Sequence, residues 1–190
     1  MALTFAGSCG ERKVGFAMKS VVVIGFVVVA AILAGCSDKQ RCGRGDWCAC
    51  SDGNACNQGC DDVDGCRIFC YNMNRCGATC GTDCSLEFHD AVNSSLSCGD
   101  RCHFTCHDGT SCEAHGGASS DFTCFNLDSC AMEVGANSKV SCTSVTSCTI
   151  ACLGDCHVNC ADEVTGCEVT CKDGAAPVSC SDGSRVCGSC

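Results

Sequence analysis

Two kinds of apolar pattern divide the chain. Residues 18–36, MKSVVVIGFVVVAAILAGC, make one nearly unbroken apolar run behind a single basic residue, Lys19. From about residue 42 onward, apolar positions come singly and two apart, and cysteine fills most of them. The recurring unit is Cys-x-φ-x-Cys with an apolar residue at its centre: CRIFC at 66–70, CHFTC at 102–106, CTIAC at 148–152, CHVNC at 156–160 and CEVTC at 167–171. Period-two alternation puts both cysteines and Ile68, Phe104, Ile150, Val158 or Val169 on one strand face. Arg67, His103, Thr149, His157 and Glu168 take the other. A helix also aligns residues four apart, but Gly154-Asp155 interrupts the row. Thr, Val, Ile and Asn, moreover, stand where helix formers would be needed. The pattern predicts five-residue strands separated by turns at 81–83 (GTD), 99–101 (GDR) and 153–155 (LGD). Cys-x-Asp-Gly occurs four times, at Asp52, Asp108, Asp173 and Asp182, with the tight-turn chemistry that a frequently reversing chain needs.

The strands repeat. TCHDGTSC (105–112), TCFNLDSC (123–130) and SCTSVTSC (141–148) align without a gap at a period of 18 residues. Cysteines 50, 60, 70 and 80 step by ten, as do 56, 66 and 76. Periods near this length belong to solenoids, in which each coil buries its inner face only against its neighbours. The predicted fold class is all-β: a small disulfide-rich β-solenoid, β-helix-like, or an irregular stack of short strands and turns, after an N-terminal signal helix. Half-coils of eight to ten residues, two per coil, are expected. Cys106, Cys124 and Cys142 should stack in one ladder, and Cys112, Cys130 and Cys148 in a second. Neighbouring strands lie about 4.8 Å apart, which the Cα separation of a disulfide, about 4.4–6.8 Å, also allows.

Composition decides what the cysteines do. The 190 residues include 28 cysteines but one tryptophan and one tyrosine, so covalent staples replace a large aromatic core. Two cysteines four apart on a strand stand about 13 Å from one another, too far to share a zinc ion bound at about 2.3 Å. Disulfides are therefore expected, and the 26 cysteines after Cys36 are an even number that permits full pairing. From Cys36 onward the chain keeps 21 of its 22 acidic residues and 9 of its 12 basic ones, a net charge of −12. With no basic patch to neutralise phosphates, nucleic acid is excluded as a partner.

The apolar run carries the address. A basic start, about fifteen apolar or small residues and a small-residue cleavage site have the build of an export signal, shorter than the roughly 20 residues of a membrane span. Leu33-Ala34-Gly35-Cys36 resembles the lipobox of bacterial lipoproteins. That resemblance implies a diacylglyceryl thioether on Cys36, cleavage after Gly35 and acylation of the new amino terminus. Several acyl chains give stable membrane anchoring where one does not. Ser37 is similar to the sorting signal for the outer membrane. The expected organisation is an upstream extension or long n-region at 1–17, a signal peptide at 18–35, a lipidated tether at 36–41 and a cysteine-rich repeat domain at 42–190.

Little chemistry remains beside the scaffold. Cys102 to His107 is one residue longer than the haem-attachment motif, and its cysteines already fit the repeat grid. The terminal Cys187-Gly-Ser-Cys190 looks redox-like but lacks a βαβ context, so staples to other coils are expected. Asp61 to Gly65 offers three carboxylates without the spacing of a calcium loop, and reads as a solvated turn. No nucleophile elbow, phosphate loop or His-Glu-x-x-His occurs. Loops are expected at Phe88 to Ser95, which includes Asn93-Ser94-Ser95, and at Glu113 to Ser119. Insect antifreeze proteins are similar disulfide-filled solenoids, but Thr143, Thr149 and Thr170 do not fall in their Thr-x-Thr register. No catalytic residue, cofactor or metal ligand is assigned. The expected role is a non-catalytic structural, adhesive or binding module, lipid-anchored at a bacterial cell surface, with an unknown surface partner. The alternative is an extracellular metal-binding protein using thiolates or calcium.

Overall fold

The structure, a computed structural model, describes residues 40–45, 47–60 and 63–190. The signal segment and Cys36 lie outside the described residues. Strands β1 (Gln40–Arg41), β2 (Trp47–Gly53) and β3 (Cys56–Gly59) open the fold. Five long strands follow: β4 (Arg67–Cys80), β5 (Ser85–Cys98), β6 (His103–Gly116), β7 (Asp121–Val134) and β8 (Ser138–Cys152). Shorter β9 (Cys156–Cys160), β10 (Gly166–Cys171), β11 (Val178–Ser179) and β12 (Arg185–Cys187) end it. Each long strand pairs in parallel with the next, and the whole is a β-solenoid of about 7 turns. At the C-terminal end the direction changes. There β12 pairs antiparallel with β9 and with β11, so a hairpin meets the last coils instead of another parallel strand.

The expected short strands are 14 to 15 residues long in the central coils, because the chain bends where it was expected to turn. One residue near the middle of each takes the left-handed conformation: Asn72, Asp90, Asp108, Asn126 and Ser144, each 18 residues after the last. Asn and Asp tolerate this backbone because their short side chains bond locally. Asp52 and Asp108 of the Cys-x-Asp-Gly elements are such corners, with the chain running on in the same parallel ladder. A second left-handed series, Asp83, Arg101, Ser119 and Asn137, marks the connections between long strands. The two sides of a coil are therefore unequal rather than matching half-coils: seven residues from Asp83 to Asp90, eleven from Asp90 to Arg101. The inward phase shifts at each corner. In β5, Leu86 and Phe88 point inward before the bend, and Ala91, Ser94 and Leu96 after it.

The core is a set of columns, one residue per coil. Ile68, Leu86, Phe104, Phe122, Val140 and Val158 form one; Ala78, Leu96, Ala114, Met132, Ile150 and Val169 form another. All are buried, and the alternate residues Arg67, His103, Thr149, His157 and Glu168 are exposed, as the Cys-x-φ-x-Cys pattern predicts. Beside these run the cysteine columns. Cys106, Cys124 and Cys142 stack in register, as do Cys112, Cys130 and Cys148.

Candidate functional site

Most of the disulfides close within a coil, across a corner or a connection, and at the C-terminal end Cys171–Cys187 ties β10 to β12. Cys70–Cys76, Cys124–Cys130 and Cys142–Cys148 each span a mid-strand corner, and Cys50–Cys56 spans the equivalent bend between β2 and β3. Cys80–Cys84, Cys98–Cys102 and Cys152–Cys156 span a connection. Cys42–Cys48, Cys60–Cys66, Cys160–Cys167, Cys171–Cys187 and Cys180–Cys190 complete the described pairs, with Cα separations of 5.5–6.7 Å over the whole set. A corner turns the chain back on itself, so cysteines four or six residues apart face one another across the narrow interior. Along a straight strand they would stand too far apart, which is why spacing alone did not reveal the pairing.

Among the described residues, two cysteines depart from full pairing. Cys106 and Cys112 are buried thiols in the same columns as Cys124–Cys130 and Cys142–Cys148. Burial first, and contact with Cys106 second, pushes the Cys112 thiol well above the usual range, the opposite of what a reactive thiolate needs. Cys187 and Cys190 bond to Cys171 and Cys180 rather than to each other, so they are staples. Within the haem-like motif, Cys102 is bonded to Cys98. Phe88 to Ser95, expected as a loop, lies within β5, where Phe88 and Ser94 occupy the columns that hold a cystine in other coils. Glu113 to Gly116 likewise belong to β6.

The acidic turns bond to the next coil. Asp64 accepts both the backbone N–H and the hydroxyl of Thr82, at 3.0 and 2.7 Å, and these bonds hold its carboxyl below its ordinary range. Arg101 donates two bonds to Asp83, at 2.7 and 2.8 Å, lowering that carboxyl too. Asp61 and Asp62 of the expected acidic turn lie outside the described residues.

Among the described residues, the outer face holds one convergence of coordinating side chains. On β5 and β6, His89 and His107 are direct register partners, their rings 4.2 Å apart between centroids. Tyr71 stacks on His89 from the coil before, 5.0 Å between centroids, and Phe125 follows His107 in the coil after. Each histidine precedes a left-handed corner aspartate, Asp90 or Asp108. The Asp108 Oδ2 lies 3.3 Å from His89 Nε2 and 3.1 Å from His107 Nδ1. Its other oxygen accepts the Asn126 amide at 2.6 Å, and this bond, then that of His107, lowers its pKa. Gly109 fixes the corner: a Cβ there would stand 2.2 Å from the Ala91 carbonyl oxygen, so the coils meet here at backbone contact.

None of these three residues stands out in the sequence as a ligand. The signal was the 18-residue period continued one coil toward the N-terminus, which aligns Glu87-Phe88-His89-Asp90 with Thr105-Cys106-His107-Asp108. The loss of both cysteines from that coil hides the repeat. His103 and His157 remain apart from the cluster, near Asp121 at 3.8 Å and Asp182 at 3.9 Å respectively. Comparison with family models, characterised proteins and solved structures gave no match.

Proposed function

We propose that the chain is an exported, non-catalytic scaffold, lipid-anchored to a cell surface through Cys36, whose solenoid presents a periodic outer face to a binding partner. The supporting observation is where the covalent chemistry goes. Cystines across the interior bind most coils to themselves, with Phe88 and Ser94 or two thiols in their place in β5 and β6, and apolar columns fill the space between them. Cystines of this kind persist in oxidising compartments and constrain the unfolded chain, which agrees with the export signal. A stack braced in this way needs no large core, and its outward residues are free to vary from coil to coil. Surface depressions are open; the one along the corners is lined by polar groups such as Asp90, Asn126, Asp128 and Ser144, without the enclosure that small-molecule chemistry uses.

Detergent partitioning of cells expressing the wild type and Cys36→Ser tests the anchor. The wild type should enter the detergent phase and the variant should leave it. Equal partitioning would remove the lipid anchor from the reading.

The metal-binding alternative gains nothing from thiolates. Among the described residues, every cysteine triplet with ligand spacing includes at least one cystine, as in Cys112 beside Cys124–Cys130. A different donor set favours it.

A further inference from the structure

We propose that His89, His107 and Asp108 form a binding site for a divalent transition-metal ion of the zinc and copper class, on the outer face between β5 and β6. One ligand atom from each of the three residues lies within 4.8 Å of the others. An ion bound at about 2.0–2.2 Å holds its ligand atoms roughly 3–3.5 Å apart. The Asp108 Oδ2 already stands 3.3 Å from His89 Nε2 and 3.1 Å from His107 Nδ1, so small side-chain rotations complete the site.

The surroundings orient the donors. An unprotonated imidazole carries one N–H and one lone pair, and a ligating histidine commonly donates its N–H to a carboxylate that fixes its tautomer. Here the nitrogens facing away from Asp108 each have a carboxylate oxygen nearby that a small rotation makes such an acceptor. His89 Nδ1 is 3.4 Å from Asp90 Oδ2, and His107 Nε2 is 3.6 Å from Glu87 Oε1. Without an ion, His107 Nδ1–H bonds to Asp108; on binding, that proton moves to Nε2, toward Glu87, and the lone pairs of His89 Nε2 and His107 Nδ1 are freed to meet an ion beside the Asp108 oxygen. Asn126 occupies the other Asp108 oxygen and so aims the free one inward.

Charge and ligand type choose the ion. Three carboxylates, Glu87, Asp90 and Asp108, surround two imidazoles, which favours a cation. Two nitrogen donors select zinc, copper, nickel or cobalt over calcium or magnesium, which require oxygen. The side chains of His89, His107 and Asp108 are 28%, 23% and 33% exposed, so water can complete the coordination sphere. Rigidity comes from the sheet: the histidines are register partners, and the Asp108 corner is packed on the coil below.

The repeat supplies substitutions that the fold already accepts. Tyr71 stands in register with His89, Phe125 with His107, and Asn126 is the corner one period after Asp108. The untagged, oxidised chain and its His89→Tyr, His107→Phe and Asp108→Asn variants would be titrated with Zn²⁺ by calorimetry and with Co²⁺ by visible absorption. Unchanged circular dichroism and protease resistance establish that each variant folds. The expected result is one ion per wild-type chain, with affinity lowered at least tenfold in each variant. Glu87→Gln should lower it by about tenfold through the His107 tautomer. His115→Gln, which removes a lone imidazole between Glu113 and Glu133, should leave it unchanged. Absence of saturable binding would overturn the proposal. So would affinity indifferent to His107→Phe, or a Co²⁺ spectrum dominated by thiolate charge transfer that disappears in Cys106→Ser, which would put the ion at the buried thiols.

Discussion

Gly116 and Phe122 share one space: a Cβ on residue 116 would stand 2.2 Å from Phe122 Cζ. Cys80 and Cys98 precede Gly116 one period apart, and Val134 follows it in register. Where the cystine is missing, the ring of Phe122 moves into the room the sulfurs would take.

Gly116→Ala should therefore overpack the interior and destabilise the fold by about 1–3 kcal/mol. Phe122→Val, copied from Val140 in the next coil, should recover part of the loss in the double variant. Guanidinium midpoints without reductant measure both. An unchanged midpoint for Gly116→Ala would mean that the ring is not held where it is described.

Two buried serines should respond in opposite directions. Ser94 Oγ has no hydrogen-bond partner beside Phe88, so Ser94→Ala should be neutral or stabilise by up to about 1 kcal/mol. Ser120 Oγ accepts the Cys102 N–H at 3.1 Å, and Ser120→Ala leaves that donor buried and unpaired at a cost of about 1–3 kcal/mol. The same midpoint assay separates them, and loss of stability in Ser94→Ala would contradict the account.

Cystines should be replaceable according to what the neighbouring coil tolerates. Val134 and Ser138 stand in register with Cys152 and Cys156. The double change Cys152→Val with Cys156→Ser copies that pair and should fold, losing chiefly the loop constraint of about 2 kcal/mol. Cys142→Ala with Cys148→Ala adds a cavity in a closed column and should cost more. Thermal unfolding of the two double variants orders them; the reverse order would sink the column argument.

Strand, solenoid and column were legible in the sequence because each rests on a period. Two-residue alternation marked Ile68 and Phe104 as inward, and the 18-residue repeat stacked Cys106, Cys124 and Cys142. Corners were not legible. Asn72, Asp90 and Ser144 occupy the left-handed position without a shared residue type, so nothing in the local sequence marks a bend in place of a turn. The disulfide pairing depends on those bends and was hidden with them. The His89–His107 contact was hidden for a different reason: the coil carrying His89 has Phe88 and Ser94 where the repeat is recognised by cysteine.

Cystines that close within single coils are what hold this solenoid together. Alkylation of the unfolded, unreduced chain, followed by acid proteolysis and mass spectrometry of the linked peptides, tests this directly. Label should be confined to Cys106 and Cys112 among the cysteines after Cys36, and linkages should include Cys70–Cys76, Cys124–Cys130, Cys142–Cys148 and Cys152–Cys156. Linkage between coils, such as Cys124 to Cys142, or label spread over the cysteine columns, would contradict it.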